Sequence, residues 1–480
     1  MKNNAILLIV SMILLAACTR RPERCDPVPT KQQLEWQDLE TYAFIHFGLN
    51  TFNDMEWGYG DTPAASFNPT GLDCEQWVQT LKAAGMKGVI LTAKHHDGFC
   101  LWPTETTDYS IKNSPYKDGQ GDVVGELCEA CRKHGLRFGL YLSPWDRHQK
   151  EYGRADYVKV YHQQIQELVD RYGPFFEFWF DGANGGDGWY GGANEKRSIN
   201  AAEYYDYAKA RDIIWTKYPN TMIFGGTVPT LRWIGNEQGW ADATQWCSYS
   251  RDFDLLNNTK LLATGIPDGE AWLPAEVDVS IRPGWFYHEN EDSLVRTVDQ
   301  LMELYDHSVG RNANLLLNFP VNKEGKIPAI DSANAVAWYR KLQDDFAENL
   351  LLGSKVSANS TRGNGFKPSN VLKEKCYWAT EDGVTRAELV FAFNEPTKMN
   401  TLVLQERLSL GQRVKGFSVS YHANGHWLPI ETDEPMTTVG HKRIVRFQPV
   451  TADQLRIRFN TRKGPVCLDQ VGAYFISASI

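Results

Sequence analysis

Phe175-Phe176-Glu177-Phe178-Trp179-Phe180-Asp181-Gly182 is the stretch from which the fold can be argued. Side chains alternate along a strand, so Glu177, Trp179 and Asp181 share one face and Phe176, Phe178 and Phe180 the other. The all-Phe face suits packing against helices, which turns Trp179 and Asp181 toward the interior of a barrel. Asp181 comes last, before a loop rich in glycine (Gly182, Gly185, Gly186, Gly188, Gly191, Gly192). A carboxylate there stands on a rigid strand at the open end of the sheet; the bland alternative is a carboxylate that merely caps the next turn.

Working outward, apolar runs recur at Tyr42–Gly48, Gly88–Lys94, Leu136–Ser143, Thr221–Gly226 and Ala313–Phe319. Amphipathic stretches separate them; in Asp156–Tyr172, Val158, Tyr161, Ile165, Leu168 and Val169 fall on one helical face. Strands alternating with helices imply a parallel sheet, and the span fits a (β/α)₈-like, TIM-type barrel, which takes about 250 residues. Six strands are visible, and the remaining two are expected between residues 240 and 290. A doubly wound sheet fits less well, because no G-x-G-x-x-G follows the first strand. The barrel is assigned to residues 36–351. Ser354–Pro368 has the composition of a linker. Short alternating strands then follow at Leu389–Phe393, Thr401–Leu404, Gly416–Tyr421, Arg443–Phe447 and Gln454–Phe459. They predict an antiparallel β-sandwich over residues 355–480.

The 480-residue chain is 42% hydrophobic and 23% charged, ordinary for a globular protein. A net charge of −9 argues against electrostatic binding of nucleic acid. Sixteen Trp, 21 Tyr and 22 Phe suit either a large core or the stacking of sugar rings. Lys2 and the apolar run Ala5 to Ala17 have the form of an export signal, residues 1–17, too short to span a bilayer comfortably. Leu15-Ala16-Ala17-Cys18 resembles a bacterial lipobox, so the expectation is a lipoprotein anchored through Cys18 at the periplasmic or outer face of a membrane. A polar tether, residues 18–35, follows. Eight further cysteines are too few for a disulfide framework, and the Cys128-x-x-Cys131 pair lies in a helical pattern, as buried thiols would.

Active sites of such barrels lie at the C-terminal ends of the strands. Lys94-His95-His96-Asp97-Gly98-Phe99 ends one strand, with the two imidazoles on opposite sides if the strand stays regular. His46 ends the first strand, Glu56-Trp57 follow in its loop, and Tyr141 shares a face with Ser143 near the end of the third. Neither H-x-H nor H-E-x-x-H is present, nor the G-x-S-x-G of a serine nucleophile, so neither a metal nor a cofactor is expected. Carboxylates, aromatics and histidines around a barrel mouth suit glycoside hydrolysis, which needs two carboxyl groups. Asp181 supplies one. Glu237, Asp242, Glu270 and Glu276 are candidates for the other. Glu237 is favoured by its glycine and aromatic neighbours, since burial beside Trp233 or Trp240 would raise its pKa as a general acid requires.

These motifs resemble the α-L-fucosidases of glycoside hydrolase family 29. The resemblance rests on Phe44-Ile45-His46-Phe47-Gly48, Glu56-Trp57, Lys94–Phe99, Gly139-Leu140-Tyr141-Leu142-Ser143, Trp179-Phe180-Asp181-Gly182 and Asn314-Leu315-Leu316-Leu317-Asn318, in order. It implies a barrel with a C-terminal sandwich, a retaining mechanism and Asp181 as nucleophile. His46, Glu56, Trp57, His95, His96, Tyr141 and Trp179 match the pocket that holds fucose, and Trp285 resembles an aromatic packed on the sugar's apolar side. Arg232-Trp233 with Gly235-Asn236-Glu237 resembles the branch that prefers α-1,3/1,4-linked fucose on branched, Lewis-type glycans, with Glu237 as acid/base. The C-terminal region is similar to galactose-binding-like, discoidin-type modules, with a structural role expected. Four other outcomes stay open: a fucosidase of broad linkage range, an exo-glycosidase for another sugar, an inactive surface lipoprotein that only binds glycans, and a metal-dependent hydrolase using His95 and His96, which full activity after chelation would exclude. The long loops 183–200 and 252–270 are expected to set the preference for the leaving sugar.

Overall fold

The computed structural model describes residues 21–251 and 259–477. Eight strands form the first sheet: β1 (Thr41–Ile45), β2 (Gly88–Lys94), β3 (Arg137–Leu142), β4 (Phe175–Trp179), β5 (Met222–Phe224), β6 (Arg232–Trp233), β7 (Ala275–Ser280) and β8 (Ala313–Asn318). Their order is β5-β4-β3-β2-β1-β8-β7-β6, every neighbouring pair parallel. Between β5 and β6 there is no ladder. Instead the Thr230 N–H donates to Ile223 O at 2.9 Å, and the Ile223 N–H to Thr230 Oγ1 at 2.7 Å, so a turn joins the two edges of a TIM-like barrel. Of the two strands expected between residues 240 and 290, only β7 lies there. The other, β6, is a two-residue strand at Arg232–Trp233, too short to leave a periodic signal.

Two apolar layers result. Ala43, Ile45, Val89, Leu91, Phe178 and Phe180 pack outward against helices such as Cys74–Ala83, Val123–His134 and Ala155–Arg171. Tyr42, Phe44, Ile90, Tyr141, Trp179 and Leu316 fill the interior. Phe176 departs from the strict alternation: it packs with the interior layer, its ring 5.3 Å from that of Tyr42. The cause is an irregularity in register between β3 and β4, where Phe138 pairs with Phe175 but Leu140 with Phe178. One extra residue on β4 breaks the period of two.

The floor of the barrel is plugged by α1 (Lys31–Gln37), started by a capping box on Thr30 and Gln33. Trp36 enters the interior and its Nε1–H donates to Glu177 Oε2 at 2.7 Å. Gln33 Nε2 donates to Thr230 O and Trp272 O, tying the helix to the β5–β6 gap. The expected tether, 18–35, is therefore docked where it is described. The Cys25 N–H donates to Leu410 O at 2.8 Å and Lys463 Nζ to Asp26 O at 2.8 Å. Its first residues, the export signal and Cys18 lie outside the described residues.

The C-terminal antiparallel unit comprises β9 (Lys355–Ala358), β10 (Trp378–Ala379), β11 (Arg386–Glu406), β12 (Val414–Ala423), β13 (His426–Pro429), β14 (Arg443–Thr461) and β15 (Cys467–Tyr474). The run expected to be linker already contains β9, which pairs with β11. Four expected short strands are two long ones, β11 and β14, hydrogen-bonded along their length. Register shifts near Ala392/Thr397 and Met399/Thr401 move the buried positions from Leu389 and Phe391 to Leu402 and Leu404. That change of parity made one strand look like two. All eight described cysteines are free; Cys131 is buried and Cys128 half-buried within Val123–His134. No helix among the described residues is long and apolar enough to cross a membrane.

Candidate active site

A cavity of about 330 Å³ opens at the C-terminal ends of the strands. His46, Glu56, Trp57, His95, His96, Tyr141, Trp179, Asp181, Glu237 and Trp285 all line it, although they come from seven separate segments. Asp242, Glu270 and Glu276 do not. Glu276 lies deeper in the barrel and accepts from Tyr42 Oη–H and, at 2.8 Å, from Trp179 Nε1–H.

Asp181 follows the end of β4 and its side chain is 23% exposed. Tyr141 Oη–H donates to Oδ2 at 2.8 Å and the Ala183 N–H to Oδ1 at 2.7 Å, so both oxygens are held. Such hydrogen bonds to a charged group contribute about 1.5–3 kcal/mol each. Burial and the facing Asp181 push the Tyr141 phenol well up, which keeps it a donor. Gly225, at the end of β5, has φ +76°, and a Cβ there would meet Phe180 O at 2.0 Å. Only glycine lets β5 approach the backbone beside Asp181 so closely.

The three histidines gather around the same point. His95 and His96 lie past the end of β2, where the backbone has left the strand, so both face the cavity, their ring centroids 4.1 Å apart. Burial pushes all three imidazoles down, His46 to about 3, so they are neutral. The surrounding network then decides which nitrogen carries each proton. Ser143 Oγ–H donates to Trp145 O, so it accepts from His96 Nδ1–H at 2.7 Å. Asn318 Nδ2 donates to Ser280 Oγ and Trp285 O, so its Oδ1 accepts from His46 Nδ1–H at 2.9 Å. Nε2 of both rings is left as an acceptor, and that of His96 stands 3.9 Å from Asp181 Oδ2. His95 is the reverse. Asn50 Oδ1 accepts from the Gly58 N–H while Nδ2 donates to Glu56 O and, at 3.4 Å, to His95 Nδ1, leaving His95 Nε2–H a donor. The trio therefore offers two acceptors and one donor.

Glu56 is largely occupied by the chain itself. It accepts from the backbone N–H of Trp285 at 2.9 Å and of Phe286 at 3.0 Å, and its Oε1 lies 2.8 Å from His288 Nε2. It thereby fixes the loop that carries Trp285. Trp57 is 54% exposed and meets His96 edge-on at 5.1 Å. Trp179 stacks on Phe224 at 3.7 Å, and with Phe44 and Leu231 gives the cavity an apolar side.

Glu237 stands exposed on the rim. The indole that bonds it is neither Trp233 nor Trp240: Trp285 Nε1–H donates to Glu237 Oε2 at 3.2 Å. Trp240 points to solvent beside His307, and Trp233 donates to Asp278 Oδ1 at 2.6 Å. Partial burial raises the Glu237 carboxyl, the Trp285 bond lowers it, and Asp181 and Glu56 raise it further; the net direction is upward. Asp278 is a lining residue that was missed. Glu276, Asp278 and Ser280 alternate with Val277 and Val279, a period-two signal that placed all three inside the barrel. Among the described residues no group of three or more His, Cys, Asp or Glu is arranged to hold a metal ion.

The loop over 183–200 folds into a small hairpin of Gly186–Gly188 and Glu195–Arg197. Residues 252–258 of the other expected specificity loop lie outside the described residues.

A family profile described as alpha-L-fucosidase matches residues 28–337, and one described as F5/8 type C domain matches residues 355–468. Alpha-L-fucosidase 1 of Arabidopsis thaliana is 39% identical over 481 residues, covering 98% of this chain and 92% of the relative. The crystal structure of a glycoside hydrolase 29 family member from an unknown rumen bacterium is 42% identical with a TM-score of 0.87, covering 96% of this chain and 79% of that one. A Ruminococcus gnavus family 29 fucosidase solved in complex with fucose is 33% identical with a TM-score of 0.86, covering 95% of this chain and 97% of that one. With the family profile spanning most of the barrel and relatives aligned over nearly the whole length, the chain belongs to the α-L-fucosidases of glycoside hydrolase family 29.

Proposed function

We propose that this α-L-fucosidase is exo-acting and retaining, and that it removes α-1,3/1,4-linked fucose from branched, Lewis-type glycans. The observation that carries the reading is the placing of Asp181 and Glu237 on one cavity, the first held by Tyr141 and Ala183, the second on the rim under Trp285. An Asp181 carboxylate oxygen attacks the anomeric carbon. The bond from that carbon to the glycosidic oxygen breaks as Glu237 gives that oxygen its proton. Water then attacks the same carbon, Glu237 takes a proton from it, and the bond to Asp181 breaks, releasing fucose with its starting configuration. The upward direction of the Glu237 carboxyl suits an acid that must be protonated near neutral pH. The two imidazole acceptors and one donor match hydroxyls that both give and take hydrogen bonds. An apolar side of Trp179, Phe44 and Leu231 suits the methyl of a 6-deoxy sugar. A cavity over a barrel floor plugged by α1 favours removal of terminal residues.

The linkage claim rests on the Arg232–Glu237 resemblance. Its test is fucose release, side by side, from a Lewis-type trisaccharide and from α-1,2-fucosylated lactose, with the first product's anomer followed by proton NMR. Release from the branched sugar alone, first as the α-anomer, is expected. Efficient release from both would replace the linkage claim with broad specificity, and a β-anomer would remove the retaining mechanism. Export and lipidation on Cys18 belong to the same proposal. Labelled palmitate incorporated by the full chain and lost in Cys18→Ala is the expected result.

A further inference from the structure

The segment that follows Glu237 is held by the C-terminal unit. Ala243 O accepts from Thr437 Oγ1 at 2.9 Å and from Arg443 Nη1 at 3.1 Å. The Gln245 N–H donates to Thr438 Oγ1 at 2.8 Å. Gln412 makes two bonds of 2.8 Å, its Nε2 donating to Gln245 O and its Oε1 accepting from the Cys247 N–H. Residues 243–247 thus lie along the unit as an added strand would, with side chains supplying the partners. Gln412 and Thr438 are 5% and 2% exposed, so water does not compete for these bonds.

The Gln245 side chain carries the connection to the other flank of the same loop. Its Oε1 accepts from Arg232 Nη2 and its Nε2 donates to Ala263 O at 2.8 Å. Arg232 opens β6, just ahead of Glu237, and its Nε donates to Leu262 O at 3.0 Å. Arg232 and Leu262 both line the cavity. Closer to Glu237, the Ala241 N–H donates to His307 O at 2.8 Å and Ala241 O accepts from Arg311 Nη1, whose Nη2 bonds Glu434 of the C-terminal unit. The Glu237 loop is therefore suspended between two anchors, each backed by the second unit.

We propose that the C-terminal unit is a positioning element of the active site, with Gln412 and Thr438 setting the place of Glu237 through residues 243–247. The proposal deepens the reading above and rests on Glu237 being the acid. Misplacing a reacting group by about 1 Å costs on the order of 10²-fold in rate. In kcat/KM, which reports the reaction only up to departure of the leaving group, the cost falls on protonation of that group. A sugar leaving group needs the proton of Glu237, whereas fluoride departs without one.

The test uses the full chain as Gln412→Ala, Thr438→Val and Thr438→Ser, with Glu237→Gln as reference. kcat/KM is measured on the fucosylated trisaccharide and on α-L-fucosyl fluoride. In Gln412→Ala and Thr438→Val the trisaccharide value is expected to fall at least about tenfold more than the fluoride value, within the range of general-acid effects. Thr438→Ser, which keeps the hydroxyl, restores it. Parallel losses on both substrates, or none on either, would mean that the unit only stabilises the fold, and would overturn the proposal. Thr438→Val is close to isosteric and carries the test if Gln412→Ala does not fold. Selective loss in Glu237→Gln without it in the interface variants sinks the positioning role alone. Parallel loss in Glu237→Gln sinks the acid assignment itself.

Discussion

Two pairs of carboxyl groups stand in one barrel, Glu177 with Glu276 at the floor and Asp181 with Glu237 at the mouth, and their circumstances are opposite. Glu177 and Glu276 are 0% exposed, next to one another, and engaged by Trp36, Tyr42 and Trp179. Burial raises both, and the neighbouring Glu276 raises Glu177 further, so the pair retains a proton. Asp181 lies only four residues beyond Glu177, just past the end of the same strand, yet its side chain is 23% exposed and Glu237 stands on the rim. Both pairs are carboxyl groups; access is what separates them. A closed pair anchors indole and phenol donors, whereas an open pair faces a cavity that a substrate can enter.

If access is the distinction, substituting one member of each pair should have unequal consequences. Asp181→Asn keeps the shape of the carboxyl and removes the proposed nucleophile; turnover is expected to fall by about 10³-fold or more, or at least ~4 kcal/mol in barrier. Glu177→Gln should change turnover by a few-fold at most. Both variants are to be checked for native circular dichroism. Loss in Glu177→Gln comparable to that in Asp181→Asn, with folding intact, would show that the floor pair takes part in the chemistry.

Stability should rank the pairs the other way. Glu276→Leu leaves the buried Trp179 Nε1–H and Tyr42 Oη–H without acceptors, each costing about 1–3 kcal/mol. A loss of about 2–5 kcal/mol in urea unfolding is expected, against about 1 kcal/mol or less for Glu276→Gln. Asp181→Asn, at a partly open site, should lie near the smaller value. Equal destabilisation by Leu and Gln would mean that volume, not the acceptors, matters at the floor.

The pairs also differ from the nearby histidines in their linkage to pH. A carboxyl raised on folding binds more protons in the folded chain, so the Glu276 contribution falls as pH rises above the ordinary carboxylate value of about 4.5. His46 is lowered to about 3, so between about 3 and 6.5 the unfolded chain binds more protons, and its contribution grows as pH rises. The two oppose one another across the window they share, from about pH 4.5 to 6.5. Glu276→Gln removes the first, and its melting temperature should rise more steeply with pH over that window than the parent's. The bound is about 1.4 kcal/mol per pH unit for one proton. A shallower rise would reverse the sign assigned to the floor pair.

The division between floor and mouth was only partly legible in the sequence. The period of two along Phe175–Asp181 put Glu177, Trp179 and Asp181 inside, and strand-end position brought the candidate residues to one cavity. Phe176 was misplaced because an added residue in β4 leaves no mark in composition. The same holds for β11, whose bulges change parity mid-strand. Glu237 was nameable from its glycines, but its partner Trp285 lies 48 residues away and is brought there by the loop that Glu56 clamps. The histidine tautomers depend on Asn50, Asn318 and Ser143 in three other segments, so no local pattern encodes them. Asp278 was legible and passed over: its alternation with Glu276 and Ser280 was in plain view.

The smallest expected effect concerns what tunes the open pair. The Trp285 indole N–H bonds the Glu237 carboxyl and lowers its pKa, opposing burial and the two neighbouring carboxylates. Trp285→Phe keeps an aromatic face over the cavity and removes that donor. The charged form loses its partner, so the Glu237 pKa rises further. A general acid works only while protonated, and its activity disappears as pH climbs through its pKa. The alkaline limb of kcat/KM should therefore move to higher pH, by under about one unit for a single exposed hydrogen bond. Glu276→Gln, acting at the closed pair, should leave that limb where it is. A limb that moves to lower pH in Trp285→Phe, or shifts equally in Glu276→Gln, would assign the titration to a group other than Glu237.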